Sequence, residues 1–138
     1  MTAKEYLSQI RRQDIKIGQR IRQLQQMRDR ITFMPGIDYA KDRVQSTPTS
    51  GNKDIEAIVD LEKQIARMVR KEEELKHKII GQIQLLENPV HVDLLFRRYV
   101  DMNSFEQISC DMGYAYNYVC NLHGDALQEF ESKVLNLS

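Results

Sequence analysis

Apolar residues recur every three or four positions along most of the chain, the spacing of one face of an α-helix. Thr2, Ala3, Lys4 and Glu5 read as a capping box, in which the Thr hydroxyl and the Glu carboxylate each satisfy a free amide. The first helix is therefore expected to begin at Ala3. Leu7, Ile10, Ile17, Ile21, Leu24 and Ile31 form a heptad stripe shared with Asp14 and Arg28. An unbroken helix to Thr32 follows, roughly 45 Å long at about 1.5 Å per residue, and Pro35-Gly36 ends it. A second long helix is expected after Gly51-Asn52, with Asp54 and Glu56 in a first turn where negative charge suits the helix dipole. Its stripe is Ile58, Leu61, Ile65, Met68, Glu72, Leu75 and Ile79, continued by Ile83 and Leu86. Gly81 interrupts the pattern and suggests a bend or a close helix contact.

Two long helices joined by one loop fold back most simply as an antiparallel coiled-coil hairpin. In that register Arg11 and Arg12 face Glu72, Glu73 and Glu74. A narrow two-helix seam does not cover Ile15, Met27, Val69 and Ile80, so a further surface is expected against them. The C-terminal part of the chain or a second copy would supply it, and a homodimer through the helical arm is the expectation. The connection over residues 34–52 is rich in Pro, Gly, Ser and Thr. Its length suits either a mobile surface loop or a partner-docking loop containing Asp42-Arg43-Val44-Gln45.

Beyond residue 87 the elements become short. Asn88-Pro89 opens a helix, because Asn caps a first-turn amide and Pro at the first helical position sacrifices no hydrogen bond. Leu94, Leu95, Tyr99 and Val100 form its apolar stripe. Ser104-Phe105-Glu106-Gln107 reads as a second capping box, with Phe105, Ile108 and Met112 on one face behind it. Gly113 suits the left-handed residue that ends such a helix. A last helix buries Val119, Leu122, Ala126 and Phe130 and presents Tyr116, Asn117, Cys120 and Asn121 on the other side. Short helix, tight Gly turn and second helix make a helix-turn-helix. The predicted fold is all-α, with a helical arm over 1–87 and a helix-turn-helix module over 88–138.

Composition narrows the setting. A chain of 138 residues with 41% hydrophobic and 29% charged residues suits a folded soluble protein. No apolar run approaches the ~20 residues that span a bilayer, and residues 1–12 lack the apolar core of a signal peptide, so a cytoplasmic protein without membrane contact is expected. Cys110 and Cys120 would remain thiols there. Charge is uneven although the net is zero: residues 1–50 carry ten Lys/Arg against five Asp/Glu, and residues 89–138 carry three against seven. The C-terminal module is thus acidic, whereas phosphate contacts call for cations.

The run Leu94-Leu95-Phe96-Arg97-Arg98-Tyr99, followed by Ser104-Phe105-Glu106-Gln107-Ile108-Ser109, Met112-Gly113-Tyr114 and Leu122-His123-Gly124-Asp125-Ala126-Leu127, resembles the fourth conserved region of sigma-70 factors. With the two long helices and the Asp42-Arg43-Val44-Gln45-Ser46 segment, nearly the whole chain resembles phage and prophage regulators of the ArpU and RinA late-gene group. The resemblance implies a transcription regulator that contacts promoter double-stranded DNA and touches RNA polymerase. It places Tyr116, Asn117, Cys120 and Asn121 nearest the bases. Asn117 and Asn121 lie four apart on one face, and Asn pairs with adenine at N6 and N7. Arg97, Arg98 and the amides capped at Ser104 are the expected phosphate ligands. Ala115 stands where Ser or Thr usually caps the last helix, and no Lys or Arg occurs between Arg98 and Lys133. No segment resembles a promoter-melting region, so the chain is expected to assist polymerase and not to replace sigma. The competing expectation is a coiled-coil module that binds polymerase or another phage protein without reading DNA. No phosphate loop, paired His or nucleophile motif occurs, so neither catalysis nor a cofactor is expected. His123 reads as a packed or capping residue, and Cys110, Cys120 and His123 lack a metal-ligand spacing.

Overall fold

The computed structural model describes residues 1–32 and 49–136, with side chains for 1–31 and 53–136. The Asp42-Arg43-Val44-Gln45-Ser46 segment lies outside the described residues. Among those described, all regular structure is helical: α1 (Ala3–Leu7), α2 (Gln9–Thr32), α3 (Thr49–Ile83), α4 (Pro89–Leu95), α5 (Phe105–Met112) and α6 (Tyr116–Phe130). Wider helical turns extend α4 over Phe96–Val100 and α6 over Glu131–Leu135. The Asp101 amide donating to the Phe96 carbonyl and that of Asn136 donating to Glu131 close these turns.

Local signals set most helix starts. Thr2 and Glu5 form the reciprocal capping box, at 3.2 Å to the Thr2 hydroxyl and 3.3 Å to the Glu5 carboxylate. Asn88 accepts from the Val90 amide at 3.0 Å. The expected unbroken first helix is interrupted at Ser8. There the hydroxyl donates to the Lys4 carbonyl at 2.6 Å, beside the Ser8 amide at 3.0 Å, and the helix resumes at Gln9. The second long helix begins at Thr49, earlier than expected, and runs through Gly81 to Ile83. A Cβ at Gly81 would meet nothing within 4 Å, so the expected close contact there is absent.

The chain forms two compact units, Met1–Asp14 with Glu72–Ser138, and Ile15–Lys71. In the first unit, Leu7 and Ile10 from the N-terminal helices, Ile79, Ile83 and Leu86 from the end of α3 and its exit, and Leu94, Leu95, Tyr99, Ile108, Val119, Leu122, Ala126, Phe130 and Val134 build one continuous core. Each fully buried Leu, Ile or Phe contributes about 1.5–3 kcal/mol through removal of apolar area from water. The Tyr6 hydroxyl donates to Gln82 Oε1 at 2.5 Å, and the Tyr6 and Phe130 rings lie 5.9 Å apart. The boundary expected at 87/88 does not separate the units, because residues 1–14 and 72–87 share the core of the C-terminal helices.

In the second unit, Ile17, Leu24 and Leu61 are buried along facing parts of α2 and α3. Arg28 and Glu62 pair across them at 3.1 Å, in antiparallel register. Ile15, Ile21, Ile55, Val59 and Val69 are exposed. Back in the first unit, Glu72 is the buried charge of the α3 stripe, 7% exposed, with Lys76 3.7 Å away. Burial, and then nearby Asp14, raise its pKa above the usual carboxylate value. The expected pairing of Arg11 and Arg12 with Glu72–Glu74 does not form among the described residues; the Arg12 guanidinium donates to the Glu5 carbonyl at 2.7 Å.

Candidate nucleic-acid interface

Helices α5 and α6 meet at a tight turn. Gly113 takes φ 73° and donates to the Ser109 carbonyl, as does the Tyr114 amide, so a left-handed residue satisfies carbonyls that the helix end leaves free. The Ser109 hydroxyl adds a bond to the Tyr114 carbonyl at 2.7 Å. Ser104 caps α5 by accepting from the Gln107 amide at 3.1 Å. The other half of the expected box is missing, since the Gln107 side chain donates to Asp111 at 2.9 Å instead. At the start of α6 Ala115 is extended and provides no side-chain cap.

Helix α6 buries Val119, Leu122, Ala126 and Phe130, as its spacing requires. Tyr116, Asn117 and Asn121 are exposed, and Cys120 is half-buried beside them. The Cys120 side chain, first by hydrogen bonding and then by charge, holds the Tyr116 hydroxyl above its usual pKa. Tyr114 and Tyr118 stand edge to face at 5.0 Å, both exposed, so the start of α6 carries a cluster of aromatic and amide side chains.

The two arginines among the expected phosphate ligands both have partners within the molecule. Arg97 Nε donates to Asp93 at 3.1 Å, and Arg97 Nη1 lies 3.6 Å from Asp111. The Asp93 carboxylate strengthens the Arg97 guanidinium's hold on its proton. Arg98 lies 4.3 Å from the centre of the Phe105 ring and donates to the Asn103 carbonyl at 3.0 Å. It thereby fastens the Val100–Ser104 turn, in which Met102 has φ 61° and the Asn103 amide donates to the Arg97 carbonyl at 3.0 Å. A non-glycine residue in that region costs about 1–2 kcal/mol, which these bonds offset.

His123 sits behind the exposed face. Its Nε2 is 2.7 Å from the Tyr99 hydroxyl, and its ring packs against Tyr99 and edge-on to Phe105. Burial, followed by the charges of Arg98 and Lys4, lowers its pKa to about 4, and burial pushes Tyr99 up to about 12. Glu129, unmarked by any sequence signal, joins the start of α4 to α6. Its carboxylate accepts from the Glu87 amide at 2.9 Å and lies 2.7 Å from His91 Nδ1. Burial raises its pKa, but the bonds from His91 and from the Glu87 and Asn88 amides outweigh burial and hold it below the usual value.

Both cysteines are free, and among the described residues no three His, Cys, Asp or Glu side chains converge on a metal position. No helix among those residues is long and apolar enough to cross a membrane. No protein-family model, curated protein or solved structure matches the chain.

Proposed function

We propose that the protein is a DNA-binding transcription regulator of phage or prophage origin, with RNA polymerase as a second partner. The observation that carries this reading is the helix-turn-helix geometry: α5 and α6 joined at Gly113, with Asn117 and Asn121 exposed on one face of α6. Two exposed amides one helical turn apart suit adenine edges in a major groove. The resemblance to sigma region 4 points to the same helix. Exposed Ile15, Ile21, Ile55, Val59 and Val69 support self-association through the arm, which would double the number of DNA contacts. The test is fluorescence anisotropy of the full chain against fragments of its source genome, with and without polymerase, at two salt concentrations. Saturable binding to one enriched motif supports the reading; absence of binding at low salt in both settings rejects it.

A second reading is favoured by a separate observation. Arg97 is paired with carboxylates, while Tyr114, Tyr116 and Tyr118 are exposed at the start of α6. Exposed Tyr with few cations is the composition of a protein-binding patch. On that reading the module binds polymerase or another phage protein directly, and polymerase capture would survive in Asn117→Ala and Asn121→Ala while being lost in Tyr116→Ala.

A further inference from the structure

Outside the exposed face of α6, the first unit contains a cleft of about 150 Å³ lined by Lys4, Ser8, Arg11, Arg98, Tyr99, Phe105 and His123. It draws cations from two distant stretches of chain, residues 4–11 and Arg98, and no carboxylate lines it. That is unusual in a part of the protein where residues 89–138 carry seven Asp/Glu against three Lys/Arg. Neither the Lys4 ammonium nor the Arg11 guanidinium has an acceptor among the described residues, and both residues are exposed, so both are available to a ligand. Arg98 is held in place by the Phe105 ring and the Asn103 carbonyl and uses only one terminal nitrogen for that bond. The floor is the Tyr99–His123 pair.

We propose that this cleft binds a phosphoryl oxyanion, held by Lys4 and Arg11 from the N-terminal helices and by Arg98 from the turn after α4. Three cations around a small opening suit a compact tetrahedral anion with several acceptor oxygens, and guanidinium groups bind such oxygens through directed N–H bonds. The Ser8 hydroxyl, which donates to the Lys4 carbonyl, adds no negative charge. The phosphoryl group comes either from a free phosphate ester or from the backbone of a nucleic acid. The inference does not depend on base reading by α6, because the cleft residues and the α6 face residues are different.

The experiment uses the full chain labelled with ¹⁵N. Sodium phosphate is titrated at constant ionic strength against sodium chloride, and a short DNA duplex is titrated separately, while the His123 ring and Arg98 side-chain resonances are followed. Saturable shifts with phosphate but not chloride support the site. Shifts with duplex alone also support it and assign the phosphoryl group to a nucleic-acid backbone. Lys4→Ala and Arg11→Ala should each weaken binding about two- to fivefold, as expected for exposed ion pairs. The double variant should weaken it roughly tenfold, whereas Lys4→Arg alone keeps the charge and retains binding and Lys63→Ala changes nothing. Should the double variant fail to fold, the wild-type titration decides alone. No saturable shift with either probe, or unchanged binding in a folded double variant, overturns the proposal. Phosphate binding without duplex binding leaves the cleft assigned and counts against the DNA reading only.

Discussion

The Tyr99 hydroxyl and His123 Nε2 share a hydrogen bond of 2.7 Å, and both ionisation equilibria keep the pair uncharged. The imidazole, with a pKa lowered to about 4, is neutral at physiological pH, and the phenol, raised to about 12, keeps its proton. The uncharged pair closes the core between the turn after α4 and the middle of α6.

This pair predicts acid sensitivity. A His whose pKa falls from 6.5 to about 4 on folding stabilises the protein above 6.5, and that stability is lost as pH drops toward 4. Comparing thermal midpoints at pH 7 and pH 4.5 should show a smaller acid loss in His123→Gln than in the wild type. An equal loss in both proteins would contradict the assignment.

Glu72 has the opposite sign. Its raised pKa means that the ionised carboxylate is disfavoured in the fold, so stability declines as pH rises from the ordinary carboxylate value through the raised one. Glu72→Leu should therefore stabilise the chain at pH 7 by roughly 1–2 kcal/mol, by replacing a buried charge with apolar surface. Urea midpoints of the two proteins measure the difference.

Glu129→Ala leaves the Glu87 and Asn88 amides and His91 without their shared acceptor. A cost of about 1 kcal/mol is expected, since only the His91 bond is partly buried and the Glu87 and Asn88 amides can turn to water. Amide hydrogen exchange at Glu87 and Asn88 should accelerate in this variant while exchange in α2 stays unchanged.

Gly113→Ala places a Cβ where φ is 73° but where nothing lies within 4 Å. The cost should come from the backbone alone, about 1 kcal/mol, and Gly113→Asn should recover part of it. Equal melting temperatures for Ala and Asn would refute that origin.

Asn117→Ala and Asn121→Ala should each reduce specific DNA affinity by about 1–3 kcal/mol without altering the melting temperature. Arg98→Ala should behave differently, lowering stability as well, since it removes the contacts to Phe105 and Asn103. Arg97→Ala should flatten the salt dependence only if Arg97 exchanges Asp93 and Asp111 for phosphate on binding. Parallel melting and anisotropy measurements separate these cases.

The local physics of the chain is legible in its sequence. The Thr2–Glu5 box, the Asn88 cap, the left-handed Gly113 and the buried face of Val119, Leu122, Ala126 and Phe130 all depend on residues within one or two helical turns. What escaped the sequence depends on distant neighbours. The acidic partners of Arg97 include Asp111, and Glu129 reaches back to Glu87, with no periodicity to announce either contact. The sequence pattern sets Arg11 opposite Glu72–Glu74 and Lys4 in the first capped turn, and only tertiary packing places both beside Arg98 and His123. Ser8 escaped for a local reason: a hydroxyl that bonds back to Lys4 breaks a pattern whose apolar spacing is otherwise continuous.

The sharing of one core by Leu7, Ile10 and Val134 also orders events during synthesis. The early helices emerge from the ribosome long before their partners exist. At about 5–20 residues per second they wait roughly 6–25 seconds for the turn that carries Val134. Through that interval Leu7 and Ile10 lack the surface that later covers them, and closing so long a loop slows the search for it. Until Val134 is made, Leu7 and Ile10 remain open to other apolar surfaces, a chaperone's among them.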